Sequence, residues 1–339
     1  MRLLVTGGCG FIGSNFLHYW AKNYPEDRLI NFDLLTYAGN PENVAALGSH
    51  PTYHFTKGDI CDAEAVGLAF SMGVDAVVHF AAESHVDRSL LDASAFVRTN
   101  VLGTHQLLES SMRHKVKRFL LVSTDEVYGT LGAEGKFTET TPLAPRSPYA
   151  ASKAAADAIA QSYHHSFGFP LVITRCCNNY GPYQFPEKLI PLMILNAMDN
   201  TPLPVYGDGM QVRDWIHVED HCRALDVVLR DGKVGEVYNV GSDCEKPNLE
   251  LVQTLLDLVG RPRTLIRHVE DRPGHDRRYA IDATKLQSEL GWKPTIGLDE
   301  GLAATIQWYQ DNREWWEKIR SGEYQKYYEK QYGERLKKD

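Results

Sequence analysis

Tyr149 and Lys153 stand four residues apart, and the stretch Tyr149-Ala150-Ala151-Ser152-Lys153 follows Pro145-Arg146-Ser147-Pro148, a helix-opening pattern. On a helix the two side chains share a face, separated by about 6 Å of rise. An ammonium so placed can lower the pKa of a phenol, making Tyr149 a proton acceptor near neutral pH, and can also grip a nicotinamide ribose. The spacing alone decides nothing. Tyr53 and Lys57 repeat it on a predicted strand, where about 13 Å of chain separates them. Upstream, Thr124-Asp125-Glu126 closes an apolar run. Two adjacent carboxylates can divide the work of acid and base if their surroundings pull the pKa values apart. A strand-end turn with solvated charges is an equally weighted reading of these residues taken alone.

A second group of residues suits a dinucleotide. An apolar run at 3–6 enters Gly7-Gly8-Cys9-Gly10-Phe11-Ile12-Gly13, and a helical pattern follows. Gly7, Gly10 and Gly13 give G-x-x-G-x-x-G, while Gly8, Gly10 and Gly13 give G-x-G-x-x-G. Glycine permits the tight turn and the close approach of backbone to a pyrophosphate, which then sits on the free N–H groups of a helix N-terminus. Asp33 ends the next apolar run, 20 residues beyond Gly13. A carboxylate there accepts from the adenosine ribose hydroxyls and repels a 2′-phosphate, so NAD is expected rather than NADP. Gly58-Asp59-Ile60 and Ala81-Ala82-Glu83-Ser84-His85 follow the third and fourth runs. These positions suit the adenine edge, and the phosphates and nicotinamide ribose, because ligands gather at the carboxyl ends of parallel strands. Glu83 and His85 would equally serve as loop caps.

These residues need a scaffold, and the pattern supplies one. Strands are predicted at 3–6, 29–33, 53–56, 76–80, 119–123 and 171–175, with helices at 11–22, 63–70, 93–113 and 149–167. Short, nearly continuous apolar strands alternating with helices imply an α/β fold: a Rossmann-type doubly wound parallel sheet. Past Asn178, Pro182, Pro186, Pro191, Pro202 and Pro204 punctuate shorter elements. Helices are predicted at 187–198, 218–229, 249–259, 283–290 and 298–319, with strands at 212–216, 236–239 and 265–268. The expected division is therefore 1–178, carrying the cofactor and the reactive groups, and 179–339, a smaller substrate-binding lobe with some elements returning to the main sheet.

Composition narrows the function classes. With 36 basic and 44 acidic side chains the net charge is −8, which offers no footprint for nucleic acid or an anionic membrane surface. No apolar run approaches the length of a membrane span, and the first residues form a strand pattern rather than a secretory signal. The six cysteines form no C-x-x-C pair, so free thiols are expected rather than a disulfide framework or a metal site. The expected setting is the cytoplasm.

Taken together, the glycine loop, Thr124-Asp125-Glu126 and Tyr149 with Lys153 identify a resemblance to the extended short-chain dehydrogenase/reductase family, in its nucleotide-sugar 4,6-dehydratase branch. Segments at 7–16, 35–40, 81–89, 178–189, 206–209, 212–215 and 271–278 share it, as do Trp315-Trp316 and Gly322-Glu323-Tyr324. Cys9 departs from the family's usual alanine. The resemblance implies that Tyr149 takes the 4-hydroxyl proton of a dTDP-glucose substrate, with Lys153 and Thr124 assisting, while Glu126 works at C5 and Asp125 protonates the departing 6-hydroxyl. It implies a tightly bound NAD, regenerated each turnover, held by Gly7, Gly10, Phe11, Ile12, Gly13, Asp33, Thr36, Asp59, Ile60, Ala81, Ala82, Glu83, Thr99, Tyr149, Lys153 and Asn179. It assigns the nucleotide sugar to Ser84, Thr124, Asn178, Lys188, Leu189, Pro204, Val205, Tyr206, Arg213, Asn248, Asp271, Arg272 and His275. Arginines such as Arg213 and Arg272 suit a diphosphate, though arginine chemistry alone leaves a salt-bridge role equally open. Finally, it implies a homodimer through a four-helix bundle built from 93–113 and 149–167, where Phe96, Val97, Val101, Leu102, Leu107 and Leu108 spread over more than one face.

Two other functions compete. A nucleotide-sugar 4-epimerase would need the tyrosine and lysine but no acid and base at C5 and C6. A non-catalytic NAD sensor would need only the glycine loop.

Overall fold

The computed structural model describes residues 1–321, 323–333 and 335–337, leaving Gly322 of the closing motif outside the described residues. In the first half β1 (Arg2–Thr6) leads to α1 (Phe11–Asn23), β2 (Arg28–Asp33), β3 (Tyr53–Lys57), α2 (Ala63–Ser71) and β4 (Ala76–His79). Next come α3 (Val86–Leu91), α4 (Ser94–Phe96), a π-helical segment (Val97–Gly103), α5 (Thr104–Arg113), β5 (Arg118–Thr124), α6 (Pro148–Phe167) and β6 (Leu171–Cys176). The second half runs β7 (Asn178–Tyr180), α7 (Leu189–Met198), β8 (Leu203–Tyr206), β9 (Val212–His217), α8 (Val218–Asp231), β10 (Val237–Val240), β11 (Glu245–Pro247) and α9 (Asn248–Val259). It closes with β12 (Ile266–Val269), α10 (Thr284–Leu290), α11 (Leu298–Asp311), α12 (Arg313–Ile319) and α13 (Glu323–Tyr332).

Seven parallel strands form the main sheet in the order β10-β6-β5-β4-β1-β2-β3. Leaving β1 the chain first moves to β2 and β3, then crosses back to β4 on its other side. That reversal opens a crevice above the carboxyl ends of the strands, where ligands of such sheets bind. The inner strands carry apolar side chains to both faces. Leu3 and Val5 enter one core cluster, while Leu4 enters the other. Strand β10 belongs to the second half of the sequence yet pairs with β6, so the sheet is not confined to residues 1–178. Helices α8 and α10 also pack into the main-sheet core through residues such as Cys222, Leu225 and Leu286. A three-stranded sheet, β11-β9-β7, and a pair, β12-β8, complete the second half, beside a separate core cluster that includes α7, α9 and α11.

Several predicted elements are corrected. The helix expected over 93–113 runs without a gap from Ser94 to Arg113, but its middle, Val97–Gly103, takes π-helical bonding between α4 and α5. Gly103 sits where a Cβ would fall 2.5 Å from Ile60 Cδ1, and Asn100 turns its amide out to the loop after β4, so tertiary contacts displace regular helix here. The helix expected over 298–319 stops at Asn312, whose φ of −113° and ψ of 44° are not helical. Helix α7 begins at Leu189 because Lys188 is extended, shortening the stretch expected from Glu187. Strands β7 and β8 escape the apolar pattern, one being Asn-Asn-Tyr and the other holding Pro204, which an edge position tolerates.

Candidate active site

The glycine turn is shaped by close contacts. A Cβ at Gly13 would lie 2.3 Å from the Gly7 carbonyl oxygen, and one at Gly7, whose φ is +72°, would lie 2.6 Å from the Ala81 nitrogen. Gly10 caps α1 without any side-chain bond, so the first N–H groups of the helix point out uncapped toward the crevice. Asp33 at the end of β2 accepts from the backbone of Cys9 (2.9 Å) and Leu35 (2.8 Å), which fixes its carboxylate at the crevice edge. Cys9 is fully buried beneath this turn. These features fit the pyrophosphate and ribose of a dinucleotide.

The crevice itself is a cleft of about 300 Å³. Every residue expected to hold the cofactor lines it: Gly7, Gly10, Phe11, Ile12, Gly13, Asp33, Thr36, Asp59, Ile60, Ala81, Ala82, Glu83, Thr99, Tyr149, Lys153 and Asn179. Ser84, Thr124, Asp125, Glu126, Asn178 and Lys188 line it too. Sequence reasoning missed Cys176, Cys177, Gln184, Phe185 and Glu187 on its wall. Their place at or just after the carboxyl end of β6 was the available signal. Asn179 is held by the buried His221, whose Nδ1 lies 2.8 Å from the amide oxygen.

The reactive groups come from two elements. Strand β5 ends at Thr124 and passes into a short 3-10 turn over Asp125–Tyr128, so the adjacent carboxylates do not alternate across a strand. Thr124 Oγ1 accepts from the Glu126 backbone and donates to Asp125 Oδ1, each at 3.3 Å. Helix α6 starts at Pro148 behind the Ser147 cap, whose hydroxyl accepts from Ala150 N at 3.1 Å. That start places Tyr149 in the first turn and Lys153 one turn on. Lys153 Nζ donates to the Val122 carbonyl on β5 at 2.8 Å, pinning helix to strand. Asn100 adds a cross-link, donating to Ser152 Oγ (2.8 Å) and the Glu83 carbonyl (2.9 Å) while accepting from Glu83 N (2.9 Å).

Burial sets the protonation states. It pushes Asp125 well above the ordinary carboxyl range, helped by the charges of Glu126 and Asp214. It also raises Glu126, but Arg272, Lys188 and Arg213 pull that group back toward ionisation. The neighbours therefore stand in opposed electrostatic surroundings, as an acid–base pair requires. Burial and the nearby Glu126 push the Tyr149 phenol above its ordinary value, while the Thr124 hydroxyl draws it down. Burial lowers Lys153 itself.

The remaining substrate residues lie beside the cleft rather than on it. Leu189 and Val205 spend their side chains in the core of the second half, and Pro204 shares β8 with Val205 and Tyr206. Arg213 is buried on β9, bonded to the carbonyls of Val212 (2.7 Å) and Asp276 (2.9 Å), with its guanidinium 4.1 Å from the Tyr279 ring centroid. Asn248 opens α9 and its backbone N–H bonds the carbonyl of Gln211, whose amide in turn donates to Asp271 (2.9 Å). His275 Nδ1 lies 2.6 Å from Asp271 Oδ1, and Arg272 pairs with Asp87. No group of three metal-ligating side chains, and no helix long and apolar enough to cross a membrane, occurs among the described residues.

A sheet, crevice and buried tyrosine–lysine pair of this kind place the protein among the NAD-binding, Rossmann-type short-chain dehydrogenases/reductases. Residues 4–305 match the family described as GDP-mannose 4,6 dehydratase. The dTDP-glucose 4,6-dehydratase of Streptomyces griseus is 53% identical over 94% of this chain and 97% of its own. That of Escherichia coli is 48% identical over 98% and 99%. The Streptomyces venezuelae dTDP-glucose 4,6-dehydratase, solved with NAD and a dTDP ligand bound, superposes with a TM-score of 0.92 at 51% identity over 94% of this chain and 100% of that one. A Thermus thermophilus UDP-glucose 4-epimerase solved with NAD reaches 0.86 at 30% identity, covering 92% of this chain and 100% of its own. The chain belongs to the dTDP-glucose 4,6-dehydratase family.

Proposed function

We propose that the protein converts dTDP-glucose to dTDP-4-keto-6-deoxy-glucose and water with NAD as its resident cofactor. The observation that carries this reading is the pair of buried Asp125 and half-buried Glu126 in the same cleft as Tyr149, Lys153 and the glycine cradle. NAD held there supplies a reversible hydride acceptor, serving C4 of the sugar first and C6 last. Tyr149, backed by Lys153, accepts the 4-hydroxyl proton while Thr124 bonds the same oxygen. A ketone at C4 acidifies C5–H, which Glu126 removes, and Asp125 gives its proton to the departing 6-hydroxyl. Glu126 then returns a proton to C5. Acid–base groups so placed contribute about 10²–10⁴-fold each.

Residues 1–178 supply most of the cofactor contacts and the reactive groups in this reading, and 179–339 mainly the nucleotide-sugar contacts. Epimerisation at C4 has no use for a proton donor and acceptor at C5 and C6, and a sensor has no use for Tyr149, so the same pair weighs against both. A homodimer through α4–α6 and the π-helical segment is supported by exposed Val97, Leu102 and Phe167 on those elements, whereas Phe96, Leu107 and Leu108 pack inside the subunit. Free thiols at all six cysteines agree with a reducing cytoplasm.

The test is dTDP-glucose carrying deuterium at C4. The label should reappear in the methyl group of the product. A label that washes out or stays at C4 overturns the reaction, and a panel of dTDP-, UDP-, GDP- and CDP-glucose reads the base preference.

A further inference from the structure

Helix α13 returns from the end of the chain to lie against residues that the cleft does not contain. Gln331 Nε2 donates to the Tyr206 hydroxyl at 2.7 Å and to Asp87 Oδ2 at 3.1 Å. The Tyr206 hydroxyl donates onward to the same Asp87 oxygen at 2.9 Å, and Arg272 Nη1 donates to Asp87 Oδ1 at 2.8 Å. One carboxylate, 6% exposed, therefore ties together a side chain from β8, one from the loop after β12 and one from the terminal helix. Asp87 belongs to α3, which follows directly from the Ala81–Ser84 wall of the cleft. Burial works against its ionisation, yet the Arg272 charge and these hydrogen bonds hold it below the usual carboxylate range.

The contact continues on either side. Tyr327, one turn before Gln331, lies 4.3 Å from the Arg88 guanidinium, whose other face meets Tyr37 at 3.8 Å. Arg88 Nε bonds Glu187 at 2.8 Å. Beyond the helix, Arg335 covers the Tyr206 ring at 5.4 Å. With Asp87 on one edge of its guanidinium, Arg272 keeps a buried Nε that has no partner among the described residues, a donor left over for an anion. An arginine and a tyrosine already held in place lose little freedom when a ligand arrives, whereas loose ones must be ordered at that moment.

We propose that Asp87 and Gln331 form a latch by which the C-terminal helix positions Tyr206 and Arg272 for the nucleotide diphosphate of the substrate, so that the tail sets nucleotide affinity. The latch rests on the nucleotide-sugar reading above. Asp87 and Gln331 are positioning residues; neither is asked to touch the reacting carbons.

Calorimetric titration of dTDP into the NAD-loaded enzyme tests it, using Asp87→Asn, Gln331→Leu, the double variant, and Lys326→Ala on the exposed side of the same helix. Each single latch variant should weaken dTDP about tenfold, and the double should be no weaker than the worse single, because both act through one network. With dTDP-glucose, KM should rise more than kcat falls, and Lys326→Ala should match the wild type. Gln331 is only half buried, so Gln331→Leu decides the matter if Asp87→Asn fails to fold. Wild-type affinity in Gln331→Leu, or multiplying effects in the double, overturns the latch. A wild type that binds dTDP but leaves dTDP-glucose unconverted overturns the proposed reaction and not the latch, while a wild type that does not bind dTDP overturns both.

Discussion

Asp125 and Glu126 are neighbours in the chain with contrasting surroundings. Around Asp125 the carboxylates of Glu126 and Asp214 outweigh Arg213 and favour its neutral form; around Glu126 the cations Arg272, Lys188 and Arg213 outweigh Asp276 and favour its anion. The sign follows for the elimination step. Glu126 must be ionised, so the rate rises with pH through a pKa above its ordinary 4.5, and Asp125 must be protonated, so the rate falls only at a pH well above 3.8. In Asp125→Asn the alkaline limb should vanish and water loss should slow by about 10²–10⁴-fold while oxidation at C4 persists, as single-turnover kinetics would show. In Glu126→Gln turnover should stall after oxidation at C4, with little 6-deoxy product and no enzyme-dependent uptake of solvent deuterium at C5, read by NMR. Tyr149→Phe should slow hydride transfer itself, and unchanged reduction of the cofactor in that variant would remove Tyr149 from the role of base.

The elements matter here for where they begin. Helix α1 must start at an uncapped glycine for its N–H groups to meet a pyrophosphate, and α6 must start at Pro148 for Tyr149 to reach Thr124. Gly13→Ala would push a methyl to 2.3 Å from the Gly7 oxygen, so the turn has to open. The purified variant should retain little NAD, measured by the cofactor released on denaturation, with the sheet intact by circular dichroism. Ser147→Ala removes the cap bond to Ala150 and should cost about 1 kcal/mol of stability. The π-helical segment shows why periodicity alone misleads. Apolar spacing over 93–113 reads as one helix, but Asn100 is pulled to the loop after β4 and Gly103 is pressed on Ile60.

For the molecule as a whole, the exposed Leu102 should decide assembly. Leu102→Asp is expected to convert the proposed homodimer to a monomer in sedimentation experiments, and a wild type that sediments as a monomer overturns that proposal. Acid sensitivity is a second whole-molecule property. His79 and His221 are buried and neutral, with pKa values driven down to about 3 by burial, aided for His79 by the Lys153 charge. Unfolded histidine titrates at 6.5, so between that pH and about 3 the unfolded chain binds the extra protons and stability falls as pH falls. Melting temperature should drop through that window, and less steeply in His221→Gln. A slope unchanged by that substitution would place the acid sensitivity elsewhere.

The sequence by itself determined the elements whose physics is local. Glycines demanded by a tight turn, Asp33 at a strand end, alternating apolar runs and helices, and a helix opening just before Tyr149 are all readable one segment at a time. Tertiary structure decided what depends on residues far apart in the chain. It brought β10 back to β6, gave the helix over 93–113 its π-helical middle, and joined Asp87, Tyr206, Arg272 and Gln331 into one network. It also decided the charge states, because the pKa of Asp125 or Tyr149 depends on burial and on which groups arrive beside it. Local spacing carries the cost and benefit of each turn and cap, but desolvation and long-range pairing exist only once distant segments share a wall.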